Sequence, residues 1–119
     1  MLQRRTLGLA VLALVACAPA WAQQGPAGEI QMELQPSQQY EVCLEMARTE
    51  TIAYTYRANQ PLDFNIYYHK DDVVHFPVRN AGFLGLSDRF IAPASQTYCL
   101  LWTNPQAVSA TLSIRLEGP

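Results

Sequence analysis

Two histidines, His69 and His75, flank a charged turn at Lys70-Asp71-Asp72. Imidazoles with a carboxylate between them are ordinary ligands of copper or zinc. If the turn takes three residues, His69 lies opposite Val73, Tyr67 lies opposite His75, and both imidazoles share one outer face. Diagonal neighbours in such a ladder stand about 7–8 Å apart at the backbone, near enough to converge on one ion. A turn one residue longer or shorter sends the two rings to opposite faces. The alternative is two ordinary surface histidines at a hairpin tip. No cofactor is expected.

Sulfur supplies the second set of candidates. Cys43 and Cys99 each sit inside an alternating apolar and polar run, behind an export leader. In an oxidising compartment two cysteines so far apart are most simply paired, with two buried thiols or half of a metal site as the alternatives. In the chain-entropy model, closing that loop stabilises the fold by roughly 4 kcal/mol. That is a large share of a typical net stability of about 5–15 kcal/mol. Cys43 shares its strand face with Glu41 and Glu45, and Cys99 shares its own with Thr97 and Thr103. The bridge is therefore expected between neighbouring strands on the outer side of one sheet.

Catalytic chemistry finds little else. A disulfide leaves no thiolate nucleophile. Ser87, in Gly85-Leu86-Ser87-Asp88-Arg89, lacks the spacing of a nucleophile elbow. Glu41 and Glu45 share a strand face with no cleft to drive their pKa values apart. The chain is not expected to be an enzyme. Tyr67, Phe83 and Leu84 are apolar groups expected to be exposed or half exposed, the last two in a glycine-bearing segment, Arg79 to Ser87, that reads as a loop. They form a candidate binding surface. Trp102 follows the parity of Tyr98 and Leu100 and belongs with the core.

The elements that position these groups begin after residues 1–22, which have the pattern of a secretory signal peptide. Arg4 and Arg5 precede an apolar stretch from Leu7 to Ala16, and Ala20-Trp21-Ala22 places small residues at the cleavage site. Leu14-Val15-Ala16-Cys17 is similar to a bacterial lipobox, so lipidation of Cys17 stands beside simple cleavage after Ala22. The apolar stretch falls short of the ~20 residues of a membrane span. Periplasmic or secreted localisation is expected, or a lipid anchor to the envelope through Cys17.

Removing residues 1–22 leaves 97 residues, enough for one domain, with six basic against ten acidic side chains and a net charge of −4. That balance lacks the basic footprint of nucleic-acid binding. Residues 23–28 form a Gln/Gly/Pro/Ala tether. Residues 29–119 then alternate with period two. The apolar members are Ile30, Met32 and Leu34; Tyr40, Val42, Leu44 and Met46; Ile52, Tyr54 and Tyr56; and Leu62, Phe64, Ile66 and Tyr68. Val74, Phe76 and Val78 follow, then Arg89 to Ala92, Tyr98 to Trp102 and Val108 to Leu116. About eight short strands with turn residues between them predict an all-β antiparallel sandwich, jelly-roll-like, holding one disulfide.

From about Tyr40 to Leu116 the chain resembles the Golgi-dynamics (GOLD) domain, a β-sandwich of cargo receptors and some lipid-binding proteins. The resemblance runs through Cys43, Ala53-Tyr54-Thr55-Tyr56, and Pro61-Leu62-Asp63-Phe64-Asn65-Ile66. It continues in Phe90-Ile91-Ala92-Pro93 and in Tyr98-Cys99-Leu100-Leu101-Trp102-Thr103-Asn104, with a last strand from Ser109 to Leu116. It implies a β-sandwich with its two cysteines bonded and a bias toward protein or lipid binding. The coiled coil, membrane span and cytoplasmic tail of the receptors are not expected after Leu116, so trafficking does not carry over.

The function expected is a non-catalytic, exported binding module of the bacterial envelope for a protein, lipid or glycan. The alternatives are a small periplasmic inhibitor of a cationic lysozyme and a metal-binding module using His69 and His75.

Overall fold

Alternation in the sequence becomes alternation in burial. The structure, a computed structural model, describes residues 23–24 and 28–119. The leader, with Cys17 and the Ala22 cleavage position, lies outside the described residues. Seven antiparallel strands follow one another: β1 (Gln23–Gln24), β2 (Glu29–Leu34), β3 (Gln39–Met46), β4 (Thr51–Lys70), β5 (Val73–Ile91), β6 (Gln96–Thr103) and β7 (Ala110–Glu117). Gln23 and Gln24, within the expected tether, pair with Gln31 and Ile30 at the edge.

The strands form one curled sheet in the order β1-β2-β7-β4-β6-β3, with β5 on β4. Its two layers share β4. Ala53–Ala58 of β4 pair with β7, whereas Asp63–Tyr67 pair with β6 on the same edge. Two strands cannot occupy one edge in one plane, so β4 bends between these stretches and passes from the first layer to the second. Strands that switch layers by a bend or bulge are how sandwich corners are made. β5 follows β4 through the bend, with register shifts between Arg57 and Phe64.

This gives seven strands, two of them long, where about eight short ones were expected. Asn59-Gln60-Pro61, between the rows that end at Tyr56 and begin at Leu62, has the residues of a strand break, and Arg79 to Ser87 those of a loop. Both are bends within continuous strands. The first bend is tied to β7 and to the turn before it. Asn59 Oδ1 accepts from the Thr111 N–H at 2.8 Å, and the Pro61 carbonyl accepts from Gln106 Nε2 at 3.0 Å. At the second bend Gly82 takes φ +80, and its N–H donates to Asp63 Oδ1 at 3.1 Å. Gly85 lies so near β4 that a Cβ there would stand 2.7 Å from the Tyr56 carbonyl oxygen. The glycines that look like loop punctuation serve a positive φ and a close strand approach.

Facing rows of the two layers make the core. Ile52, Tyr54, Tyr56, Ala110, Leu112 and Ile114 come from the first, and Leu62, Phe64, Ile66, Tyr98, Leu100 and Trp102 from the second. Four rings meet between them: Phe64 lies 4.9 Å from Tyr54, 5.4 Å from Tyr56 and 4.9 Å from Trp102, centroid to centroid. Trp102 is fully buried, as its parity implies. Asn104, also fully buried, ties the layers at one end. Its Nδ2 donates to the carbonyls of Leu34 and Val108, both at 2.9 Å, and its Oδ1 accepts from the Gln106 N–H at 2.9 Å.

The disulfide forms as expected. Cys43 lies directly opposite Cys99 in the β3–β6 ladder, with Cα atoms 4.0 Å apart, on the outer face beside Glu41 and Leu101. It joins neighbouring strands of the second layer and does not cross the core.

Candidate functional site

The outer face of the second layer collects the groups best suited to hold a ligand. Along β4, Asp63, Asn65 and Tyr67 alternate outward between the buried Leu62, Phe64, Ile66 and the half-buried Tyr68. Across them on β6 stand Thr103, Leu101 and Cys99, so the disulfide adjoins Tyr67. On the other side β5 supplies Arg79, opposite Asn65, and Phe76, whose ring is 5.9 Å from that of Tyr67.

Phe76 reaches this face through a bulge. Ile66 pairs with Val78 but Tyr68 pairs with His75, so β5 spends one more residue than β4 over that interval. The extra residue sits at Phe76-Pro77, where proline has no N–H to give the ladder. Strict alternation had grouped Phe76 with Val74 and Val78 as one apolar row. The bulge moves it outward, 38% exposed. The Arg79 guanidinium carbon lies 4.2 Å from the Phe76 centroid, a cation–π contact.

Tyr67 is held from the side. Its hydroxyl donates to a Glu41 carboxylate oxygen on β3. That hydrogen bond, then burial and the Glu41 charge, raise the Tyr67 pKa above its ordinary value. The His69 ring meets Tyr67 edge-on at 5.7 Å. Beside the aromatic group a depression of about 290 Å³ is lined by Asp63, Asn65, Phe76, Arg79, Asn80 and Ala81.

The residues singled out in the sequence do not all meet. The turn between β4 and β5 has two residues, Asp71 and Asp72, at φ +53 and +61, with Lys70 opposite Val73. Positive φ at both positions is the type I′ geometry that matches strand twist. His69 consequently pairs with Val74, and His75 with Tyr68, on which it stacks at 4.9 Å and 13°. His69 and Tyr68 are adjacent in β4, so the two imidazoles occupy opposite faces. The expected convergent metal pair is corrected accordingly. Phe83 pairs with Leu62, five residues along β4 from Tyr67. At about 3.3 Å per residue that is roughly 16 Å, too far for one contact patch. Phe83 and Leu84 are exposed but belong to strand β5, not to a loop.

Ser87 Oγ hydrogen-bonds to Thr55 Oγ1 at 2.9 Å on the outer face of the first layer. Phe76, Arg79, Asp63 and Asn65 were missed as site residues. The proline after Phe76 was the available sign that alternation slips there.

No protein-family model matches the chain, and no curated protein matches it. Solved structures do. The pre-peptidase C-terminal domain of a collagenase from Bacillus anthracis superposes with a TM-score of 0.60 at 12% identity, covering 75% of this chain and 87% of that one. A CBM4 carbohydrate-binding module gives 0.55 at 10% identity, covering 82% and 78%. PliG from Aeromonas hydrophila, a periplasmic inhibitor of g-type lysozyme, gives 0.52 at 13% identity, covering 80% and 92%. At such identities the likeness is one of fold: the chain is an antiparallel β-sandwich of the architecture these binding and inhibitor domains share.

Proposed function

We propose that the protein is an exported, non-catalytic binding module of a bacterial cell envelope that takes a carbohydrate on the outer face of its second layer. The observation that carries this reading is the half-buried Tyr67 grouped with the exposed Phe76 and His69, beside Arg79, Asp63 and Asn65. A pyranose has flat C–H faces and a rim of hydroxyls. It therefore needs an aromatic surface flanked by fixed donors and acceptors, which is what these residues supply. A lipid would call for a broader apolar surface than three rings among carboxylates and amides. The fold shared with a CBM4 module supports the reading.

Export rests on the leader, through cleavage after Ala22 or lipidation of Cys17. Kinship with GOLD domains belongs to the same reading. It is supported by Tyr98 and Trp102 in the core and by Asn104 at the end of their strand, bonded to Leu34 and Val108.

A glycan array probed with the oxidised mature domain tests the proposal, with hits followed by NMR titration. Shifts should centre on Tyr67, Phe76 and Arg79, and Tyr67→Ala with Phe76→Ala should weaken binding by at least about tenfold. Absence of any glycan binder, or hits indifferent to both substitutions, would overturn it.

Inhibition of a cationic lysozyme is the second reading. It is favoured by the net charge of −4 after leader removal and by Glu41, Glu45 and Asp63 along the same layer. Cell-wall lysis that proceeds unchanged with excess domain removes it.

A further inference from the structure

Of the six lysine and arginine side chains in residues 23–119, Arg79 alone lies on the outer face of the second layer. Arg57, Arg89 and Arg115 belong to the ladders of the first layer, Arg48 to the turn after β3, and Lys70 ends β4. Arg57 is paired with Glu29 at 3.5 Å, whereas among the described residues no carboxylate lies within ion-pair distance of Arg79. What holds Arg79 is Phe76, over whose ring the guanidinium sits. A ring face attracts that charge but cannot take the N–H groups as a pair of oxygens does. Arg79 and Phe76 line the depression of about 290 Å³ together with the amides of Asn65 and Asn80 and the carboxylate of Asp63.

We propose that the glycan bound on this face is acidic, and that Arg79 selects it by pairing with a carboxylate of the sugar; this rests on the carbohydrate reading above. The planar set of guanidinium N–H donors matches the two oxygens of a carboxylate, and charge on both partners makes those hydrogen bonds the strong kind. Asn65 and Asn80 then stand beside the sugar ring, where an amide can give to one hydroxyl and accept from another. Two negative groups on the layer oppose such a ligand, and distance decides against both. Glu41 lies in the same row as Arg79 but three strands away, through Asn65 and Leu101. That is roughly 14 Å, beyond the ~8 Å screening length at physiological ionic strength. Asp63 is one strand and two residues from Arg79, roughly 8 Å at the backbone. Its Oδ1 takes the Gly82 N–H, and Phe76, on the Tyr67 side of Arg79, draws the guanidinium away from it. An ion pair at about 3 Å outweighs a repulsion across roughly 8 Å, because the Coulomb energy falls with separation and screening reduces it again. A phosphate monoester brings close to two charges against one guanidinium, so a carboxylate is the better match.

Calorimetric titration of the oxidised mature domain tests this with oligomers of galacturonate, glucuronate and mannuronate and with a muramic-acid glycan, each beside its methyl ester. Esterification removes the charge and keeps the sugar skeleton, and the four acids separate a uronic carboxylate from a lactyl one. At least one acid should bind about tenfold or more tighter than its ester, with the gap narrowing as salt is raised. Arg79→Gln should bind that acid and its ester alike. Arg79 is exposed, and circular dichroism verifies that the variant is folded. Esters or neutral oligosaccharides bound as tightly as the acids overturn the acidic assignment and leave the carbohydrate reading in place. A preference for acid that survives Arg79→Gln also overturns it. If no glycan binds, acidic or neutral, both fall together.

Discussion

Tyr56→Phe probes the centre of the fold, because the hydroxyl it removes is buried among rings. Tyr56 is 1% exposed, its ring packs against Phe64 and Trp102, and its hydroxyl has no hydrogen-bond partner among the described residues. An unpaired buried hydroxyl is a liability that an isosteric apolar group removes, so at pH 7 the variant should be as stable as the wild type or about 1 kcal/mol more so. Alkali separates the two further. Burial, then the charges of Tyr54 and Asp63, push the Tyr56 pKa up to about 12. An unfolded tyrosine titrates near 10. Between these values the unfolded chain has lost the proton that the folded chain retains, so stability present below pH 10 is lost as pH rises toward 12. The loss from Tyr56 is about 1.4 kcal/mol at pH 11 and approaches about 3 kcal/mol above pH 12. Tyr54, also raised to about 12 by burial and then by Asp88, loses a similar amount in both proteins and cancels. Urea denaturation followed by circular dichroism at pH 7 and pH 11 should therefore show the advantage of Tyr56→Phe growing by about 1.4 kcal/mol. A variant destabilised at pH 7 by more than about 1 kcal/mol, or an advantage that stays flat with pH, would refute the burial argument.

The disulfide and the buried asparagine make further tests. Replacing Cys43 and Cys99 together by serine opens a loop with a sequence separation of 56 residues. It should lower stability by about 4 kcal/mol and the melting temperature by about 20 °C in calorimetry; a fall under about 5 °C contradicts the loop-entropy account. Asn104→Ala strips partners from the Leu34 and Val108 carbonyls and the Gln106 N–H, and should cost about 3 kcal/mol in urea denaturation. A cost under about 1 kcal/mol would mean that those groups find other partners.

The outward position of the disulfide was legible because faces alternate and both cysteines share parity with charged or hydroxyl residues. Core membership was legible for the same reason at Ile52, Tyr54, Tyr56, Phe64, Ile66 and Trp102, which are all buried. The candidate site was legible only at Tyr67 and His69. Phe76 was hidden because one inserted residue inverts every later parity, and nothing in local composition counts residues in the opposing strand. His75 was misplaced for a related reason. The Lys70-Asp71-Asp72 segment fits a two-residue or a three-residue turn equally well, and the choice between them moves an imidazole from one face to the other.

Period-two patterning, turn chemistry and cysteine parity are local properties, and from them the sequence by itself determined an all-β antiparallel domain, its core rows and its outer bridge. Which segments continue through a bend, and which side chains become neighbours across strands, depends on contacts between residues far apart in the chain. Asn59 reaching Thr111, Gln106 reaching Pro61 and Gly82 donating to Asp63 are such contacts. They exist only once the layers have stacked, and so the tertiary structure alone decided that β4 and β5 run through both layers and gather Tyr67, Phe76 and Arg79 on one face.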